Sequence, residues 1–103
     1  MARLSDEIRQ LVLANRYVIG EHAAERLAER GIMEWQIVAG MEEAASMTER
    51  RTSRPHPVAE FGIALPDGTS CKAVWSLLRT SGVTKLVTVH LVQHDSQAMD
   101  TEP

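Results

Sequence analysis

Three strand-like runs in the second half of the chain are separated by turns so short that only one kind of pairing is open to them. Val58–Leu65, Ser70–Arg79 and Val83–Val92 are rich in β-branched and other apolar residues, broken by Pro66-Asp67-Gly68 and by Ser81-Gly82. Such residues set the tight backbone angles of turns, and connections of a few residues join antiparallel neighbours. The spacing therefore predicts an antiparallel meander over residues 58–92.

The first half has a different period. Ser5 followed by Asp6 and Glu7 reads as a helix start, with the hydroxyl as cap and the acids at the positive end of the dipole. Leu4, Ile8, Leu11 and Val12 then share one face of a helix over about residues 5–15, ending near Asn15. Tyr17-Val18-Ile19, stopped by Gly20, is a candidate brief strand. From Glu21 the helical period returns, with Ala23, Ala24, Leu27 and Ala28 on one side and Gly31 closing the helix. Ile32 can staple a further helix whose stripe is Ile37, Val38, Met41, Ala44 and Ala45. Gly40 lies beside that stripe, where the missing side chain admits a close neighbour. The pattern predicts a tight helical hairpin joined at Gly31.

Thr48–Pro57 carries three arginines, two prolines and His56 without apolar periodicity, and reads as an exposed basic loop with a short edge strand near Met47 to Arg50. The expected fold class is α+β: an N-terminal helix and a helical hairpin packed on one face of a three- to four-stranded antiparallel sheet. Residues 1–94 form the single expected domain, and the acidic, aperiodic residues 95–103 a disordered tail.

Length and composition bound the function. At 103 residues and 44% hydrophobic, the chain can bury one core. A lone Cys71 forms no internal disulfide and reads as a reduced, buried thiol, and no metal or other cofactor is expected. No apolar run approaches the roughly 18 residues of a membrane span, and no secretory leader is visible, so the expected location is the cytoplasm. The net charge of −3 is unevenly placed. Residues 21–49 hold Glu21, Glu25, Glu29, Glu34, Glu42, Glu43 and Glu49 against Arg26 and Arg30, whereas residues 50–94 hold Arg50, Arg51, Arg54, Lys72, Arg79 and Lys85 against Glu60 and Asp67. The helical half is acidic and the sheet half basic.

His22, Arg26 and Arg30 are spaced to share one helix face. They either form salt bridges at a solvated surface or present two guanidiniums and an imidazole to a phosphate. On the last strand, alternation groups His90 with Thr84 and Thr88, away from Val87, Val89 and Leu91. On the middle strand it groups Lys72 with Ser76, away from Ala73, Trp75 and Leu77. An open face carrying Lys72, Ser76, Thr88 and His90 would suit a phosphodiester. Arg50, Arg51 and Arg54 could hold nucleic-acid backbone from the neighbouring loop. Trp35 and Trp75 could stack on bases, but a tryptophan in a small domain is more often core or interface, and the core is the expectation for both. The chain lacks a phosphate-binding glycine loop, a Gly-x-Ser-x-Gly elbow and a His-Glu-x-x-His pair. A metal-free ribonuclease needs only a base, an acid and cations, because the RNA 2′-hydroxyl is the nucleophile.

His22-Ala23-x-x-Arg26-Leu27-x-x-Arg30-Gly31-Ile32, followed by a second helix and the strand Leu86-Val-Thr-Val-His90, resembles a bacterial family of small unassigned domains that open on His-Ala-x-x-Arg-Met-x-x-Arg-Gly-Ile. Met33 departs from the usual Ser or Thr cap. Members of that family commonly accompany small zinc-finger antitoxins, and their order of elements is similar to that of RelE-like messenger-RNA interferases. The first helix, with Ile37 and Gly40-Met41, adds a fainter likeness to the motility quorum-sensing regulator toxins of that superfamily. The resemblance implies helices on one sheet face and RNA on the other, in the toxin of a type II toxin–antitoxin pair whose partners are mRNA and a cognate antitoxin protein. On that reading His22 and His90 exchange protons with Arg26 beside them, and Arg30, Arg50, Arg51, Arg54 and Lys72 bind phosphate. The alternative is a non-catalytic interaction module of the same fold, pairing through its hairpin or an exposed strand edge.

Overall fold

The computed structural model describes residues 3–92, so the expected acidic tail lies outside the described residues. Among the described residues three helices and five strands follow one another as α1 (Leu4–Leu13), β1 (Tyr17–Ile19), α2 (Glu21–Arg30), α3 (Glu34–Gly40), β2 (Ala45–Arg50), β3 (Val58–Ala64), β4 (Ser70–Leu78) and β5 (Val83–Val92). The meander forms as its turns require: β3, β4 and β5 are consecutive antiparallel neighbours.

The sheet is nevertheless five-stranded and mixed, in the order β1-β5-β4-β3-β2, which corrects the expectation of three or four antiparallel strands. Tyr17–Ile19 lies parallel to β5, with Tyr17 opposite Thr84 and Ile19 opposite Leu86. Two helices and three strands intervene between these partners, so no hairpin constrains their direction. β2 forms the other edge and takes in Ala45, which the apolar stripe had assigned to a helix.

α3 ends at Gly40, where the helix lies directly on β3 and a Cβ would collide with the Ile63 side chain. α2 ends on Gly31 in the left-handed region, φ 69°, and Ile32 then turns into the core. α2 packs chiefly on β5 and α3 on β3, while α1 crosses from β2 to β5, so α2 and α3 seat on the sheet instead of closing into a tight hairpin.

One core results. Leu4, Ile8 and Val12 of α1, Ala23 and Leu27 of α2, and Ile37 and Met41 meet Phe61, Ile63, Ala73, Trp75, Leu77, Leu86 and Val89. Ala24 and Ala28 are exposed, because α2 touches the sheet along a narrow i, i+4 stripe. Trp35 is also exposed, at 60%, whereas Trp75 is fully buried. Ser5 does not cap α1 with its hydroxyl as expected; Arg3 is the cap residue, and the Ser5 N–H donates to Glu49 Oε2 of β2 at 2.8 Å. No helix among the described residues is long and apolar enough to cross a membrane.

Candidate functional site

All three helices contribute to one core layer, and the opposite face of the sheet carries the polar residues of four strands. Register fixes which ones. Arg50, Val58, Ser76 and Lys85 form one row across β2, β3, β4 and β5; Thr48, Glu60, Val74 and Thr88 form the next; Gly62, Lys72 and His90 form a third. Each alternates with a core residue such as Ala59, Phe61, Ala73 or Trp75.

Lys72 and His90 are direct cross-strand partners, which sets their α-carbons about 4.5–5.5 Å apart with side chains on the same side. Glu60 of β3 sits diagonally across from Lys72, with β4 between it and His90. Its carboxylate is reached by Arg50 Nη1 at 2.9 Å and by Lys72 Nζ at 3.6 Å, and its side chain is only 13% exposed. Among the described residues, Arg50, Lys72 and Lys85 thus outnumber Glu60 on this face, leaving it positive. Val74 and Ser76 form a buried floor beneath these longer side chains. Thr88 Oγ1 is buried without a hydrogen-bond partner among the described residues, an acceptor and donor left over beside the Lys72–His90 pair.

Register shifts interrupt the alternation at Met47 in β2 and again in β5. Val74 pairs with Thr88 but Trp75 pairs with Leu86, so Val87 is an extra residue in a bulge. The parity of β5 flips there. Thr88 and His90 lie on the open face as expected, but Thr84 belongs to the core, where it is fully buried and its Oγ1 donates to the Ser76 carbonyl at 2.7 Å.

The α2 residues do not join this cluster. His22 and Arg30 are exposed on α2, and Arg26 Nη1 is engaged by Glu29 Oε1 at 3.0 Å. α2 gives its buried side chains to the core layer, so the expected proton exchange between His22 and His90 would have to pass across the sheet; among the described residues no polar contact links them. Arg51 and Arg54 are exposed in the loop after β2, with His56 nearby in sequence; Arg51 lies near enough to Glu49 to lower its carboxyl. Cys71 points into the core, and burial pushes its thiol up to about 11, which removes it as a nucleophile. Among the described residues no three His, Cys, Asp or Glu side chains come together as a metal site.

Glu60 and Lys85 complete the face and were not singled out from sequence. Glu60 was readable, since Val58, Glu60 and Gly62 alternate with Ala59, Phe61 and Ile63; Lys85 was not, because the bulge at Val87 separates its parity from that of His90. Comparison of the chain with protein-family models, with curated proteins and with solved structures finds no match.

Proposed function

We propose that the uncovered sheet face binds single-stranded RNA and cleaves it without a metal ion, as the toxin of a bacterial toxin–antitoxin pair would. The observation that carries this reading is the pairing of Lys72 with His90 on a positive, helix-free face. Cleavage by the 2′-hydroxyl requires that its proton be accepted, that the phosphorane's charge be neutralised and that the departing 5′ oxygen be protonated. Lys72 and Arg50 are the cations, Glu60 is the acceptor that they hold, and His90 across from Lys72 is the acid. A phosphate entering between Arg50 and Lys72 would compete for the cations that now hold Glu60 and so release its carboxylate to act as base. The 2′ oxygen bonds to phosphorus as the bond to the 5′ oxygen breaks, giving a 2′,3′-cyclic phosphate and a free 5′-hydroxyl.

His22, Arg26 and Arg30, which carry the resemblance of the opening helix to that toxin superfamily, have no catalytic part in this scheme. The test is cleavage of a labelled mRNA in the presence of a chelator. Wild type should leave cyclic-phosphate ends, His90→Ala should lose on the order of a hundredfold in rate, and His22→Ala should match wild type. No cleavage by wild type, or equal cleavage by His90→Ala, would sink the assignment.

A further inference from the structure

Trp35 stands out among the few aromatic side chains of this protein. Phe61 and Trp75 are fully buried, Tyr17 is half-buried against Trp75, and Trp35 is 60% exposed beside Met33, itself 58% exposed. Two grooves flank Trp35. One, of about 540 Å³, is walled by Tyr17, Met33 and Val38 and holds one carboxylate, Glu34, already bound by the Tyr17 hydroxyl at 2.7 Å. The other, of about 460 Å³, runs between Trp35 and the start of β2 and carries Glu42 and Glu43. Both acids are exposed, and neither has an ion-pair partner among the described residues.

We propose that this ridge and its two grooves are a docking surface for a basic amphipathic segment of another protein, independent of the RNA reading of the sheet face. A tryptophan between an apolar groove and an acidic one is the residue type that carries interface energy, and grooves of this volume accept large side chains. The acids select the sign of the partner. They repel RNA, so Trp35 is no base-stacking platform. They also repel the chain's own residues 93–103, which contain Asp95, Asp100 and Glu102 and no Lys or Arg. A second copy is poorly matched, because the basic stretch it could offer, Arg50-Arg51…Arg54-Pro55-His56-Pro57, has no apolar residue at helical spacing. The occupant is then a helix with apolar side chains at i and i+4 straddling Trp35, and with Lys or Arg turned to Glu42 and Glu43.

The probe is a short synthetic helix of leucine and lysine, compared with one of leucine and glutamate in the same pattern and with polyuridine RNA, each titrated into isotope-labelled full-length protein. The leucine–lysine helix should shift amides between Met33 and Glu43 and quench Trp35 emission. Trp35→Ala should weaken it roughly thirtyfold, and Glu42→Gln with Glu43→Gln about fivefold. These side chains are exposed, so circular dichroism should be unchanged. Binding of neither peptide, equal binding of both, RNA shifts at Trp35, or Trp35-dependent self-association in sedimentation would each overturn the proposal.

Discussion

Glu49 belongs to β2 but completes α1. The first N–H groups of a helix have no partner within it, and Arg3 supplies no side-chain cap, so the Glu49 carboxylate takes the Ser5 N–H across the chain. Hydrogen bonds from the Ser5 hydroxyl and N–H hold its carboxyl below the usual range, helped by Arg3 and Arg51. A carboxyl lowered in the folded state stabilises the fold above its ordinary pKa and loses that contribution as pH falls through the lowered value. Glu49→Gln should therefore cost about 1 kcal/mol at neutral pH in urea denaturation, with the difference from wild type shrinking in acid. A difference that grows in acid would contradict the cap. Gly40 works by absence: Gly40→Ala must displace Ile63 or lift α3, and should cost about 1–3 kcal/mol in the same assay.

Among the elements, β1 shows how a three-residue strand is held. Tyr17 packs edge-on against Trp75 at 6.1 Å between ring centres and donates its hydroxyl to Glu34 of α3. That hydrogen bond, with burial and the Glu34 charge, raises the phenol above its ordinary value of 10.0. Since Tyr17 is the one tyrosine in the chain, ultraviolet titration reads it directly. Its ionisation should occur above pH 10.0 in wild type and earlier in Glu34→Gln; identical curves would remove the tie between β1 and α3. The strands of the meander were legible in sequence to within a residue or so, because Pro66-Asp67-Gly68 and Ser81-Gly82 punctuate them locally. Lys72, Ser76, Thr88 and His90 were legible as one face for the same reason. Pairing of β1 with β5 was not, since it depends on residues far apart in sequence, and Thr84 was misplaced because one extra residue at Val87 leaves no local mark. Trp35 escaped because hydrophobicity says that a side chain can be buried, not that space exists for it.

At the scale of the whole molecule, the uneven charge of the sequence becomes two surfaces. Arg50, Lys72 and Lys85 collect on the open sheet face with Arg51 and Arg54 in the loop after β2, while Glu34, Glu42 and Glu43 surround Trp35 around α3, in grooves of which one reaches Gly62 of that face. No Phe, Tyr or Trp lies in the three rows of the open face, so RNA held there is gripped chiefly by its phosphates and its base sequence matters little. Three cations predict a log–log salt slope of about −2 for single-stranded RNA, with Lys85→Ala reducing it by about 0.7; a salt-independent affinity would contradict phosphate binding. The placement of RNA on this face is read most directly from amide shifts on titrating isotope-labelled protein with an oligonucleotide whose 2′-hydroxyls are methylated against cleavage. The account predicts shifts at Arg50, Lys72, Thr88 and His90 with His22, Arg26 and Arg30 unmoved; shifts centred on α2, with the open face silent, would contradict it.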